Sequence, residues 1–401
     1  MRVAAILRSL LRRSTLSLVH SARLRSFFFA VEALVHGGRL SLTSLGRAAP
    51  GGTSPKHSIK RVDRLLGNRR FHAERHFLGR VLVERLATSG STPVLLVDWT
   101  KLNGGMYALV AAVPVMGRAI PIYSEVHREK QHGTVRVERR FLKELARLLP
   151  PSCKPIVLTD AGFRNPWFSA VESVGWDYVG RLSGSVRVQR FEGSDWIRAE
   201  DLVHPHPKCP TDLGLCSVAK KNRHTHRVVF AKPQRRKPMR GRSRSHYLKQ
   251  RNQRSRRKAR TRAMSPWILA TSLSAPAAAA LIGLFGVRME LEETFRDVKN
   301  PRWGWSLAHA RTKSPRRYEV LLLIAAFAML AVMLAGIAAE QLRLHRAYQA
   351  NTISDRRVLS CFVLGRAMIL RRDSSTLSQV SFTNALRQIE ARHQERVGNL
   401  S

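Results

Sequence analysis

The apolar residues of this chain change texture along its length. Up to residue 90 they recur every three or four positions among basic residues, as in SFFFAVEALVHGG and HSIKRVDRLLGNRR, which predicts helices. LSLTSLGRAAP adds a short helix that Thr43 and Ser44 open and Gly46 and Pro50 interrupt. From Pro93 the pattern differs. PVLLVDW is a near-continuous apolar run, the mark of a buried strand, and it ends in Asp98. YALVAAVPV and RAIPIYSEV follow at hairpin spacing around Gly117. VERRFLKELARLL returns to helical spacing through Phe141, Leu142, Leu145, Leu148 and Leu149, and stops at Pro150 and Pro151. PIVLTDAGF is a second buried strand, closed by Asp160; a helix over Pro166–Val174 and the strand WDYVGRL come next.

Residues 185–265 interrupt this alternation. Lys220–Arg262 holds 19 lysines and arginines in 43 residues and no acid, so it cannot bury itself and predicts a mobile, DNA-facing excursion. PWILATSL then reads as a strand, and Pro276–Lys299 as one long helix with Ser274 and Pro276 as start signals. Residues 346–401 are polar and read as helical. The expected division is 1–90, a helical DNA-end-binding domain; 91–184, the first part of an α/β core; 185–265, an inserted basic, β-rich subdomain; 266–345, the second part of the core; and 346–401, a C-terminal helical region. Three strands, a helix, a strand, a helix and a strand resemble the order of a ribonuclease-H-like core.

Charge narrows the partner. The 401 residues carry 70 Lys+Arg against 27 Asp+Glu, a net +43, while 44% are hydrophobic. That hydrophobic share excludes a disordered basic tail, and the charge calls for a polyanion, nucleic acid first. Four scattered cysteines argue against a disulfide framework and for a reducing compartment. Residues 1–31 lack acids, as transit peptides do, yet read better as a basic amphipathic helix. Val320–Ala339 has twenty residues without a charge, long enough to span a bilayer. Eight of them are Ala or Gly, so a helix buried in a large core is the preferred reading. His204, His206, Cys209 and Cys216 have ligand chemistry but no familiar zinc spacing, and neither a G-x-S-x-G elbow nor a phosphate loop occurs.

The chemistry concentrates in acids. Asp98 and Asp160 both end apolar strands, where carboxylates can converge at a sheet edge, although many strands end in Asp for turn chemistry alone. A third acid lies in FGVRMELEETFRDVKN. Phe285, Arg288, Glu292, Arg296 and Lys299 are spaced 3, 4, 4 and 3 apart and are expected on one helix face, with Glu293 about a quarter turn away as the lesser candidate. The plain alternative is an exposed helix laced by a Glu292–Arg296 pair. Lys60, Arg61 and Arg64 form a dense basic run that suits DNA.

Phe285-GV-Arg288-MEL-Glu292-ETFRDV-Lys299 resembles the Tyr, Arg, Glu, Lys signature of the insertion sequence 4 family of DDE cut-and-paste transposases. HSIKRVDRLLGNRR, VLLVDWT, TDAGFRNPWF, PWILATSL, EETFRDVKNPRWGWSLAHARTKS and YQANTISDRRVLS resemble its insertion-sequence-ten branch, in that order and across most of the chain. The resemblance implies a triad of Asp98, Asp160 and Glu292 holding two divalent metals, Mg²⁺ or Mn²⁺. It also implies Arg288 and Lys299 on phosphates, a DNA face that includes Arg296, and end recognition by residues 1–90. Trp267 would stack on a flipped base, against a plain core reading for the same ring. The implied partners are terminal inverted repeats, target DNA and a second copy of the chain, with no membrane, in the nucleoid-associated cytoplasm of a bacterium. Phe285 stands where the signature has Tyr, so a DNA-facing hydroxyl is missing. A non-catalytic DNA-binding protein and a single-span basic membrane protein are the rival readings.

Overall fold

A computed structural model describes residues 7, 10, 11, 13–49, 51–87, 92–203, 209–231, 266–350, 352, 353, 355–371 and 373–400. After a single helical turn at Arg13–Leu16 come four longer helices: α1 (Ser21–Val35), α2 (Leu42–Ala48), α3 (Pro55–Gly67) and α4 (Arg69–Leu86). Strands β1 (Val94–Lys101), β2 (Met106–Val115) and β3 (Arg118–Arg128) follow, then α5 (Val135–Leu148), β4 (Ile156–Thr159), α6 (Asn165–Ser173) and β5 (Asp177–Arg181). Short strands β6 (Arg187–Gln189) and β7 (Ile197–Arg198) precede β8 (Thr211–Val218), β9 (His224–Ala231) and β10 (Trp267–Thr271). The last helices are α7 (Ala278–Gly286), α8 (Met289–Lys299), α9 (Pro315–Gln341), α10 (Cys361–Leu370) and α11 (Gln379–Gly398).

These elements form two compact units. One holds the described residues of Met1–Leu158, Ser173–Trp176 and Val287–Asn399; the other holds those of Thr159–Glu172, Asp177–Gly286 and Leu400–Ser401.

In the first unit the strands lie in the order β3-β2-β1-β4, with β1 and β3 antiparallel to β2. Met116 and Gly117, both at positive φ, make the two-residue turn between β2 and β3, the geometry that matches strand twist. The uncharged run of Val320–Ala339 is the body of α9, which is buried among α1, β3, α10 and α11. By length and composition α9 could cross a membrane, yet 94% of its most apolar window is buried in the protein. Glu319 near its start anchors it by accepting the Val126 N–H at 3.0 Å and pairing with Arg75. A Cβ at Gly365 would stand 1.9 Å from the Val332 carbonyl oxygen, so glycine is what lets α10 lie against α9.

In the second unit the order is β5-β10-β9-β8-β6-β7, each recorded pair antiparallel. Its core centres on Phe168, Tyr178 and a buried His226. Burial pushes His226 down to about 3, so it is neutral, and its two ring nitrogens meet the Tyr178 hydroxyl at 2.6 Å and Asn165 Oδ1 at 3.0 Å. Only Lys220–Ala231 of the basic excursion falls among the described residues, in the β8–β9 turn and β9; residues 232–265 lie outside them, as do His204 and His206.

Two expectations are corrected. Pro276–Lys299 is two helices rather than one, broken at Val287 and Arg288, where Gly286 and the β-branched Val287 are weak helix formers. Gly46 does not interrupt its helix. It sits inside α2, where a Cβ would stand 2.6 Å from the Ile59 Cα, so it brings α2 and α3 together.

Candidate active site

β1 carries Asp98 and Thr100 on one side of the strand, since alternate residues share a face. α8 lies over β1, β2 and β3 and is fixed there by three polar contacts. The Thr294 hydroxyl accepts the Ala119 N–H at 2.7 Å, Arg118 pairs with Asp297 at 2.5 Å, and Arg396 from α11 pairs with Glu290 at 2.6 Å. Burial raises the Glu290 carboxyl, and Arg396 opposes that shift from the C-terminal helix.

On this frame Arg288 comes between the two acids. Its Nη1 lies 3.4 Å from Asp98 Oδ2, and its Nη2 donates to Glu292 Oε1. Asp98 and Arg288 are nearly buried, while the Glu292 side chain is 44% exposed. Lys299 donates from Nζ to Thr100 Oγ1 at 2.5 Å. Burial lowers its ammonium pKa and the Asp98 carboxylate partly restores it. So Asp98, Glu292, Arg288 and Lys299 are drawn together in the first unit.

The other expected residues are placed differently. Asp160 belongs to the second unit, just beyond β4, where its Oδ1 accepts the Gly162 N–H at 2.8 Å in a turn. Phe285 does not share a helix with Glu292. It ends α7 and is 3% exposed, its ring edge-on to Trp267 at 5.2 Å, because the helix break turns it into apolar packing. Trp267 is half-buried on β10. The Glu292–Arg296 pair of the plain alternative is not formed: Glu292 turns back to Arg288, and Arg296 pairs with Glu293 and is 62% exposed.

Lys60, Arg61 and Arg64 lie on α3. Lys60 and Arg64 are exposed, while Arg61 donates to Ser26 Oγ at 3.1 Å and covers the Phe29 ring at 4.3 Å. Burial and then the neighbouring Arg25 lower the Arg61 pKa. Arg61 and Arg64, with His20, Arg23 and Arg25, line an open pocket of about 480 Å³, an electropositive cup that Lys60 does not join. The contribution of α1 to it was not foreseen from sequence, because Arg23 and Arg25 lie far from α3 along the chain. Nor was the Arg396–Glu290 pair, which joins residues 106 apart.

Among the described residues no three His, Cys, Asp or Glu side chains stand together as a ready metal cage. The donor chemistry fits a hard divalent cation all the same: carboxylate oxygens at Asp98 and Glu292, with a cationic group, the Arg288 guanidinium, already between them. A comparison with curated protein sequences finds no match. A family model described as the transposase DDE domain matches residues 89–331, more than half of the chain and the stretch that contains Asp98, Asp160 and Glu292. The chain therefore belongs to the DDE transposase family.

Proposed function

We propose that this chain is the cut-and-paste transposase of an insertion sequence, of the insertion sequence 4 family and its insertion-sequence-ten branch. It would bind terminal inverted repeats, hydrolyse the phosphodiester at each end, and join the freed ends to target DNA as a homodimer in the bacterial cytoplasm. The observation that carries the reading is the meeting of Asp98 and Glu292 at Arg288, with Lys299 beside them, inside the matched region.

In this reading Asp98, Asp160 and Glu292 hold the cations. Two bound Mg²⁺ ions would supply an activated water and stabilise the leaving oxygen. The protein's own part is positioning. Arg288 can exchange its carboxylate partners for the oxygens of an incoming phosphodiester, since a guanidinium serves either oxyanion in the same forked geometry. Lys299, steadied by Thr100, offers a second cation on the same side of β1. Residues 1–90 would take the end sequence through the α3 cations, and the basic excursion would follow the phosphate backbone.

The test is incubation of the protein with a duplex carrying the inverted repeats read from the DNA that flanks its gene. Nicking at the repeat boundary that needs Mg²⁺ or Mn²⁺ is expected. Binding without nicking would favour a non-catalytic DNA-binding protein.

A further inference from the structure

Two tryptophans stand two residues apart in the turn that follows α8, and the fold treats them oppositely. Trp305 is fully buried, edge-on to Phe362 at 5.2 Å, with its carbonyl accepting the Leu40 N–H at 2.7 Å. Trp303 is 63% exposed. Tryptophan and arginine side by side on a surface are the residue types most enriched where proteins grip a partner.

The turn that presents Trp303 is rigid. Asn300 Oδ1 accepts the N–H groups of Arg302 and Trp303 at 2.8 and 3.0 Å, and the Trp305 N–H reaches the Asp297 carbonyl at 3.0 Å. Arg366 donates to the Trp303 carbonyl at 2.7 Å. A Cβ at Gly304 would stand 1.6 Å from the Asp297 oxygen, so the chain can pass there only as glycine. Trp305 is the anchor and Trp303 is what the anchored turn displays. The Arg302 guanidinium lies 4.7 Å from the Trp303 ring centroid. From Lys299 to Arg317 the chain carries cations and no carboxylate, and Arg366 adds another cation at the Trp303 carbonyl, which favours an anionic partner.

The geometry points to Trp303 as a stacking platform for an unpaired nucleobase, with Arg302 holding the adjoining phosphate. An aromatic face beside an arginine is the pairing that grips single-stranded nucleic acid without reading sequence. The inference rests on the transposase reading, and it names a contact that Trp267 does not supply. Trp267 is half-buried against Phe285 in the other unit, whereas Trp303 belongs to the unit that holds Asp98 and Glu292.

The test uses 5-iodouracil photo-cross-linking on the full-length protein, with Trp303→Ala and Trp303→Phe as variants. The base is placed in an oligothymidylate single strand, at the end of the terminal-repeat duplex, and inside an unrelated duplex. Cross-links that map to Trp303 are expected from the single strand and the duplex end. If only those two react, the base comes from an unpaired strand; if the interior base reacts as well as they do, the ring wedges into paired DNA and the inference is overturned. Trp303→Ala should weaken single-strand binding roughly tenfold or more, with Trp303→Phe close to wild type. The slope of log K against log[salt] should stay unchanged, because stacking releases no counterions. Equal affinity in all three proteins with no cross-link at Trp303 overturns the inference, and so does a Trp303→Ala variant that alters only oligomeric state. Failure of the wild-type protein to bind any of the three DNAs would instead overturn the transposase reading itself.

Discussion

Arg288 donates to Glu292 one turn along α8 and faces Asp98 across 3.4 Å, so a single guanidinium compensates carboxylates from a strand and a helix nearly two hundred residues apart. It is the electrostatic hinge of the site. Without it, two acids on adjoining elements would lose the cation that stands between them.

Arg288→Gln should therefore lower stability by about 1–3 kcal/mol, the usual cost of removing one partner from a largely buried charged hydrogen bond. Added Mg²⁺ should raise the melting temperature of the variant more than that of the wild type, because a cation can then take the vacated place between the acids. Thermal melts with and without Mg²⁺ check both parts. Equal Mg²⁺ shifts in the two proteins would remove Arg288 from the site.

The C-terminal helix should make the fold acid-sensitive. His393 Nε2 accepts the Val94 N–H at 3.2 Å, and burial, then the charge of Arg396, push its pKa down to about 4 from 6.5. The folded value lies below the unfolded one, so the unfolded chain takes up the proton first. Stability is complete above about pH 6.5 and is lost as pH falls toward 4. His393→Gln keeps an acceptor for Val94 and removes that titration. Its urea midpoint should vary less between those pH values than the wild type's, with the contribution of His226 left in place.

Phe285→Tyr should not restore a lost DNA contact. The ring is buried against Trp267, so a new hydroxyl enters apolar packing, at a cost of about 1–3 kcal/mol if it finds no partner. Cleavage by Phe285→Tyr should not exceed wild type while its melting temperature falls. A variant that cuts faster at unchanged stability would mean that the ring turns to DNA in the complex.

The strands that carry Asp98 and Asp160 were legible because PVLLVDW and PIVLTDAGF are apolar runs too short for helices and end in a charge. The α9 core helix was legible from its small residues. The break between α7 and α8 was not, since apolar spacing runs through Gly286-Val287-Arg288 without interruption and only weak propensity marks the stop. That break decides the fate of Phe285. Charge partners were the least legible part. Glu292 could have met Arg288 or Arg296 at equal spacing, and the choice was made by Asp98, which holds the Arg288 end from another element. Spacing also could not reveal that Trp305 is an anchor and Trp303 a display, because their difference arises from Phe362 and Leu40.

In the proposed triad Asp98, Asp160 and Glu292 act together on DNA. Asp98→Asn, Asp160→Asn and Glu292→Gln each remove one charge and leave side-chain volume unchanged. The direct measurement is single-turnover nicking of a terminal-repeat duplex in Mg²⁺, with end binding measured on the same preparations. Each variant should lose cleavage by several orders of magnitude while binding stays within a few-fold of wild type. Undiminished Mg²⁺-dependent nicking in any one of them would contradict that residue's place in the triad, and in Glu292→Gln would move the third carboxylate to Glu293.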